Sequence, residues 1–145
     1  MRLTQHTDYA LRLLVHLAVA PEGRVTAVDV ANTFGISVDH LRKVVQLLAG
    51  AGYVNTRRGR TGGVALAKPP ADICIGDVVR LTETDFGLVE CFRPDNRCVL
   101  TPGCAIIPVL ADARDAFLAV LDRATLADCI GDSAGIRRLL SLGTD

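Results

Sequence analysis

The sequence predicts a mainly α-helical fold with one small β-hairpin. Apolar residues recur at intervals of three and four in several stretches of the 145-residue chain, which is the helical period. One region, residues 53–67, instead has two short β-type runs on either side of a glycine-rich loop. Only 4% of the residues are aromatic, so the core must consist mainly of Leu, Val, Ile and Ala, which suits packed helices.

The first 50 residues contain three predicted helices. They cover residues 8–20, 28–34 and 38–49, where apolar residues follow the helical period. Gly35 lies in a tight turn between the second and third helices, and Ser37 has the side chain expected of a helix N-cap. The apolar face of the third helix consists of Leu41, Val44, Val45 and Leu48.

Two short β segments, residues 53–56 and 64–67, follow the third helix and enclose the basic, glycine-rich loop 57–63. Helix, glycine turn, helix and basic hairpin, in this order, form the pattern of a winged helix-turn-helix domain. A short extended piece and one more small helix are expected at residues 73–84. The sequence therefore predicts a winged helix-turn-helix domain at residues 1–84, with the hairpin as its small β wing.

The second half of the chain is predicted to contain a long loop and a long helix. Residues 85–104 show neither a helical nor an alternating period, and a loop of this length in a compact domain is usually functional. The apolar pattern returns after Pro108 as a seven-residue repeat, which is typical of a helix packed on a partner helix. We therefore expect a dimerisation helix and a C-terminal segment at residues 105–145. The repeat consists of Leu110, Ala113, Phe117, Val120 and Ala124.

The distribution of charge narrows the class of function. The formal net charge is zero, but residues 1–70 hold nine Lys or Arg and four Asp or Glu, whereas residues 71–145 hold seven and twelve. A basic first half favours a polyanion-binding module. No apolar run near the start approaches the roughly 20 residues that span a bilayer, and the N-terminus has no apolar signal segment. We expect a cytoplasmic protein that makes no membrane contact and, because no Ser–His–acid or paired-carboxylate arrangement stands out, is not an enzyme.

The third helix carries the candidate contacts with double-stranded DNA. A helix in the major groove needs an apolar inner face and a polar outer face, and residues 38–49 have both. The outer-face candidates are His40, Arg42, Lys43 and Gln46. The hairpin loop adds Arg57, Arg58 and Arg60, which can reach a minor groove or phosphates. The alternative is an ordinary solvated helix followed by a charged hairpin.

Three cysteines in the long loop are candidate metal ligands. Cys91, Cys98 and Cys104 are separated by six and five residues, and thiolates at such separations can converge on one point. The spacing differs from the ferredoxin patterns and from the paired cysteines of zinc sites. An iron–sulfur cluster, a zinc ion and redox or structural thiols therefore all stay open from spacing alone. Cys74 and Cys129 lie in apolar patterns and are expected to be small buried residues.

Several motifs together resemble those of a known family, the dimeric winged-helix transcription regulators that carry an iron–sulfur cluster. The resemblance covers nearly the whole chain and implies a homodimer that binds near-palindromic operator DNA. Its motifs are Leu3-Thr4-x-x-Thr7-Asp8-Tyr9-Ala10-Leu11-Arg12, Ile36-Ser37 with Leu41-x-Lys43, Gly50-Ala51-Gly52-Tyr53-Val54, Arg58-Gly59-x-x-Gly62-Gly63, the three loop cysteines, and Thr125-Leu126-Ala127-Asp128.

Within this family, the chain is similar to repressors that sense nitric oxide. Cluster-assembly regulators of the family have a His three residues after the last Cys, where this chain has Ile107. Iron-responsive members usually have Asn where this chain has Asp8. The ligands implied by the resemblance are Cys91, Cys98, Cys104 and Asp8, the last from the first helix of the partner subunit. Arg12 would then hold the carboxylate in place from the second coordination shell.

The residues also allow alternatives to these assignments. In the first turn of a helix, Asp8 suits a carboxylate that faces the helix dipole and pairs with Arg12 four residues later. Three thiolates and one carboxylate suit either a four-iron cluster, which we favour, or a two-iron cluster. The signal can be iron supply or cluster status instead of nitric oxide. The chain can also be a zinc or thiol-switch regulator, or a protein that docks on a metabolic enzyme and does not bind DNA.

Overall fold

A computed structural model of the chain describes residues 2–20, 25–57, 59, 62–131 and 133–141. Its helices are α1 (Gln5–Val19), α2 (Ala27–Phe34), α3 (Val38–Gly50), α4 (Ile75–Thr82), α5 (Ile106–Asp122), α6 (Leu126–Ile130) and α7 (Ser133–Leu139). Strands β1 (Val54–Arg57) and β2 (Gly63–Leu66) pair antiparallel, with Val54 opposite Leu66. The predicted fold, mainly α-helical with a small β wing, is therefore confirmed.

Helices α2 and α3 form the predicted helix-turn-helix unit. The Thr26 side chain caps α2 in a capping box with Asp29. Gly35 ends α2 with a φ of 61°, in the left-handed region that residues with a side chain rarely adopt. The Ser37 hydroxyl then accepts the backbone N–H of His40 and caps α3. These capping residues and Gly35 determine where the turn lies and where α3 begins.

The inner face of α3 packs into the core, as the sequence predicts. Its four apolar residues are buried, with Leu41, Val44 and Leu48 fully so. They belong to one hydrophobic cluster with Leu13 and Leu14 of α1, which are also fully buried. The outer face of α3 is left exposed by this packing.

The C-terminal segment returns to the same core. The backbone N–H of Leu126 donates to the carbonyl of Ile73 at 2.8 Å, and Leu126 is fully buried in the cluster that includes α1 and α3. Arg137 of α7 donates through Nε to the carbonyl of Val19, the last residue of α1, at 2.8 Å. Arg80 of α4 also pairs with Asp122, the last residue of α5, so the C-terminal end of α5 is anchored to the winged helix-turn-helix unit.

Helix α5 begins at Ile106, two residues before Pro108. Proline is tolerated there because the first four N–H groups of a helix have no intrahelical acceptor. None of the residues of α5 is buried, although the helix is rich in apolar side chains. No helix among the described residues has both the length and the apolar character needed to cross a lipid bilayer.

The apolar repeat of α5 is divided between two faces. Leu110 and Phe117 are half-buried and line a cavity of 380 Å³ together with Leu3 and Phe86 of the same chain. These two residues of the predicted repeat therefore face the protein's own loop. The predicted seam and the apolar surface that the chain leaves exposed therefore differ at these two positions, because the sequence alone does not show which apolar residues the same chain covers.

A second apolar row on α5 is exposed. Ile106, Val109 and Val120 are 63%, 65% and 56% exposed. Together with two exposed alanines they are spaced by three and four residues, which is again a seven-residue repeat. We call this row the α5 seam; it consists of Ile106, Val109, Ala113, Ala116 and Val120.

Glu83 ties the end of α4 to the start of α1. Its Oε1 accepts the backbone N–H of Thr4 at 2.7 Å and the hydroxyl of Thr4 at 3.1 Å. The buried Thr7 hydroxyl is shared between this carboxylate and the hydroxyl of Thr82. Desolvation by burial raises the pKa of Glu83, but the hydrogen bonds from Thr7 and Thr4 outweigh it and lower the pKa below its usual value.

We expect the substitution Glu83→Gln to lower the free energy of unfolding by about 1 kcal/mol at neutral pH, because a neutral amide is a weaker acceptor than the carboxylate. The pKa of Glu83 is lowered in the folded state, so its contribution is full above the unfolded pKa of about 4.3 and is lost as the pH falls through the folded pKa. Urea unfolding of the full chain at neutral and acid pH measures this change.

The control for Glu83→Gln is Asp95→Asn, at an exposed carboxylate of the long loop. The difference in the free energy of unfolding between wild type and Glu83→Gln should vanish at acid pH. The free energy of unfolding of Asp95→Asn should equal that of wild type at each pH. A difference for Glu83→Gln that stays constant with pH would contradict a role for the charge.

Candidate nucleic-acid interface and metal-binding loop

The outer face of α3 is polar and accessible. The predicted candidates on it, His40, Arg42, Lys43 and Gln46, are all exposed. Arg42 Nη1 lies 3.0 Å from Asp39 Oδ1, but the two side chains are 61% and 83% exposed. An ion pair this exposed contributes little free energy, so Arg42 can exchange Asp39 for another anion.

One groove beside α3 joins it to the hairpin. This wing-side groove has a volume of 520 Å³ and brings Arg42 and Gln46 together with Arg57 at the end of β1. Thr26 and Thr56 also line it, and sequence reasoning missed both. In the sequence, Thr26 is recognisable only as a helix N-cap, which does not indicate that it lines a groove. The predicted residues Arg58 and Arg60 lie outside the described residues.

A second groove lies on the other flank of α3, beside the start of α1. This α1-side groove has a volume of 350 Å³. It is lined by Thr4, Gln5, His6, Tyr9, His40 and Lys43. The structure therefore sorts the four α3 candidates into two pairs, one facing the wing and one facing α1. Sequence reasoning missed the α1 residues because only tertiary packing places them beside α3.

Asp8 and Arg12 form a two-point ion pair on α1. Arg12 Nε donates to Asp8 Oδ1 at 2.9 Å, and Nη2 lies 2.8 Å from Oδ2. The Asp8 side chain is 45% exposed, so its carboxylate is accessible from outside the chain. The guanidinium of Arg12 lies 5.8 Å from the ring centroid of Phe34, the last residue of α2. Asp8 is thus connected through Arg12 to the residue that precedes the helix-turn-helix turn.

The loop between α4 and α5 is irregular apart from two 3-10 turns, at Glu90–Phe92 and Thr101–Gly103. Asn96 Nδ2 donates to Thr101 Oγ1 at 2.7 Å, which closes the middle of the loop. The guanidinium of Arg114, on α5, lies 5.2 Å from the ring centroid of Phe92. This contact places the segment around Cys91 against the middle of α5.

The three loop cysteines carry free thiols. Cys91 and Cys104 are half-buried and Cys98 is exposed. Within the described part of the chain, no three His, Cys, Asp or Glu side chains are arranged to hold a metal ion. The donors nevertheless fit an iron–sulfur cluster chemically, because unpaired thiols in irregular backbone can close around iron, and an accessible carboxylate can complete a set of four.

The other two cysteines have different surroundings. Cys74 is half-buried, with its Sγ 3.6 Å from the carbonyl oxygen of Asp122. Cys129 is exposed, contrary to the sequence prediction, because Leu126 takes the inward position of the short helix α6. Partial desolvation of this side chain and the charge of Asp128 raise the pKa of the Cys129 thiol, which disfavours the thiolate that metals bind.

Comparison with known proteins identifies a family that the chain matches. The chain matches the family Rrf2, described as "Iron-dependent Transcriptional regulator", over residues 3–132. It is 51% identical over 142 residues to the HTH-type transcriptional regulator NsrR of Geobacillus kaustophilus, which covers 97% of each protein. It is 46% identical over 144 residues to NsrR of Bacillus subtilis, which covers 98% of this chain and 99% of that protein.

Solved structures show the same fold. The chain is similar to CymR, the global cysteine regulator of B. subtilis, with a TM-score of 0.70, 28% identity and coverage of 89% of this chain and 95% of that one. It is also similar to T. potens IscR, with a TM-score of 0.72, 27% identity and coverage of 94% and 91%. The relatives are named as regulators of transcription and not as enzymes, which confirms that expectation. The chain therefore belongs to the Rrf2 family of transcriptional regulators.

Proposed function

We propose that this chain is a nitric-oxide-sensitive transcriptional repressor of the cytoplasm. It binds a near-palindromic operator as a homodimer while an iron–sulfur cluster is intact, and it leaves the DNA when nitric oxide attacks that cluster. The similarity to two regulators named NsrR, together with the accessible Asp8 carboxylate, is the observation that carries this proposal.

The two faces of α3 support DNA binding. The buried inner face fixes the helix on the core, and the outer face presents cationic and amide side chains. On the wing side, Arg42 can read guanine edges in the major groove and Gln46 can read adenine edges. Arg57 of the wing lines the same groove as Arg42 and Gln46, so the wing and α3 can contact the same DNA segment. We assign the DNA contacts to His40, Arg42, Lys43, Gln46, Arg57, Arg58 and Arg60.

The α5 seam supports the homodimer. Its exposed apolar row lies on a helix that is anchored to the winged helix-turn-helix unit at its C-terminal end. Two such seams packed together would hold two copies of α3 at a fixed separation. A two-fold dimer of this kind reads two half-sites about one DNA turn apart, which is why the operator should be near-palindromic.

The cysteine loop and Asp8 support the sensor. We assign the ligands to Cys91, Cys98, Cys104 and Asp8 of the partner subunit. A bound cluster would supply iron sites that react with nitric oxide; a four-iron cluster is favoured and a two-iron cluster is the alternative. Arg12 already orients the Asp8 carboxylate by two contacts. A change in the partners of that carboxylate shifts Arg12, whose guanidinium lies over Phe34 at the end of α2.

The free energy that must couple the Asp8 carboxylate to operator affinity is small. A hundredfold loss of operator affinity corresponds to about 2.7 kcal/mol. The Asp8–Arg12 pair is nearly half exposed and contributes only about 0.3–0.5 kcal/mol by itself, so ligation of the carboxylate would have to supply most of this coupling.

The proposal is tested by titrating the anaerobically purified protein with nitric oxide while recording its visible spectrum and its operator affinity. We expect iron–sulfur absorption that changes with nitric oxide, and a parallel loss of affinity of about a hundredfold. In Asp8→Ala, both responses should be altered. A colourless, iron-free protein that keeps full operator affinity would overturn the proposal, and unchanged responses in Asp8→Ala would leave Asp8 as a helix-dipole group.

A second candidate is a regulator that senses iron supply or cluster status. The description of the matching family as iron-dependent favours it. In this case, operator affinity would follow iron loading or exposure to oxygen and would not respond to nitric oxide. A zinc or thiol-switch regulator would be colourless in the same spectra and would contain zinc or no metal by elemental analysis.

Substitutions in the wing-side groove should separate sequence readout from backbone binding. We expect Gln46→Ala to weaken binding to the operator by about 1–3 kcal/mol, with little effect on random-sequence DNA. Arg57→Ala should weaken binding to both DNAs alike and reduce the slope of log affinity against log salt by about one. Fluorescence anisotropy at several salt concentrations measures both effects. Equal losses on both DNAs for Gln46→Ala would exclude base readout by this residue.

A further inference from the structure

The α1-side groove is polar, and apart from Thr4 its side chains make no hydrogen bond or ion pair with the described part of the chain. Among the described residues, the side chains of Gln5, His6, Tyr9, His40 and Lys43 make no hydrogen bond or ion pair, although all five line one groove of 350 Å³. None of the described Asp or Glu residues lines the groove. Groups that can donate hydrogen bonds, and a Lys with no counter-ion, indicate a surface that is completed by an anion from outside the chain.

The acidic groups nearest to the groove are already engaged elsewhere. Glu83 interacts electrostatically with His6, but its carboxylate accepts hydrogen bonds from Thr4 and Thr7. Asp39, beside His40 on α3, pairs with Arg42 on the wing side. Neither carboxylate therefore neutralises Lys43, and the groove keeps a positive charge.

The position of the groove identifies the anion. His40 and Lys43 lie on the flank of α3 that faces α1, whereas Arg42 and Gln46 lie on the flank that faces the wing. The major groove is about 12 Å wide and is bordered by one phosphate backbone on each side. A helix lying in it turns one flank towards each backbone. If the wing side meets one strand, the α1 side meets the other.

We infer that the α1-side groove binds backbone phosphates of double-stranded DNA, on the strand opposite to the one that the wing contacts. Lys43 supplies the fixed charge, and Gln5, His6 and Tyr9 of α1 supply hydrogen-bond donors. The inference rests on the proposed DNA binding and adds α1 to the DNA interface. Asp8 lies one turn after Gln5 on the same helix, so any displacement of Asp8 along α1 also moves a DNA contact.

The test is a charge series at Gln5, an exposed residue whose side chain makes no hydrogen bond or ion pair within the described part of the chain. We expect Gln5→Lys to bind DNA about three- to tenfold more tightly near 0.1 M salt and to steepen the salt slope by about 0.9. Gln5→Glu should bind correspondingly more weakly. Tyr9→Phe should weaken binding without changing charge. Because phosphates carry no sequence information, operator and random-sequence DNA should change by the same factor.

Arg123→Gln provides the control, since it changes charge at the end of α5 and lines neither groove beside α3. Its affinity and salt slope should equal those of wild type. If Gln5→Lys and Gln5→Glu also match wild type while Arg57→Ala lowers the slope, the inference is wrong and DNA binding by α3 and the wing stands. If wild type itself shows no salt-dependent binding to any DNA, the proposed function fails instead. Melting temperatures and visible spectra of the Gln5 variants show whether fold and cofactor content are unchanged.

Discussion

Replacing any one of the loop cysteines Cys91, Cys98 and Cys104 by Ala is expected to abolish the iron–sulfur absorption of the anaerobically purified protein and to weaken operator binding about a hundredfold. Each thiol is one of the four proposed ligands, so a variant that lacks one of them would no longer hold a cluster stably. Without the tie between the loop and Asp8 of the partner subunit, the two copies of α3 lose their fixed separation. The visible spectrum and operator affinity of each variant measure the two effects separately.

Cys129→Ala is the matched control for these variants. Cys129 is exposed like Cys98, but it lies on α6, outside the loop, and its thiol has a raised pKa. This variant should keep the wild-type spectrum and affinity. A loop variant that retains the wild-type absorption removes its cysteine from the ligand set, and loss of the spectrum in Cys129→Ala would mean that the set was assigned wrongly.

The helix-turn-helix unit could be predicted because its signals are local. Gly35 and Ser37 mark the turn within three residues, and the four apolar residues of α3 follow one helical face. Each of these features depends on neighbours in sequence, so a single chain without a structure suffices to recognise them. The irregular loop was predictable for the same reason, because its Pro and Gly residues interrupt every period.

Features that depend on packing could not be predicted in full. Leu110 and Phe117 belong to the same apolar pattern as Val120, and only the fold shows that the first two face the chain's own loop. The α1-side groove is likewise formed by segments about 35 residues apart, with Lys43 opposite His6. The proposed ligation by Asp8 involves a partner subunit, so neither the sequence spacing nor the fold of one chain predicts it.

Substituting Asp for Val109 in the α5 seam is expected to convert the protein to a monomer and to weaken operator binding by a hundredfold or more. Val109 is 65% exposed in the single chain, but the proposed two-fold dimer buries it twice. Burying an unpaired carboxylate costs several kcal/mol, which exceeds what one interface residue contributes. A monomer also loses the gain of roughly 10²–10⁴ in affinity that comes from binding two half-sites together. Light scattering after gel filtration and operator titrations measure the two losses.

The matched control for this substitution is Ala119→Asp. Ala119 is exposed on the same helix, but it lies about 100° around the axis from Val120 and so outside the α5 seam. The substitution Ala119→Asp adds the same charge to α5 as Val109→Asp does, and it should leave the dimer and the operator affinity unchanged. If Val109→Asp stays dimeric with full affinity, the α5 seam is not the dimer interface. If it becomes monomeric and still binds the operator as tightly as wild type, the α5 seam joins the subunits but the spacing of the two α3 helices does not determine DNA affinity.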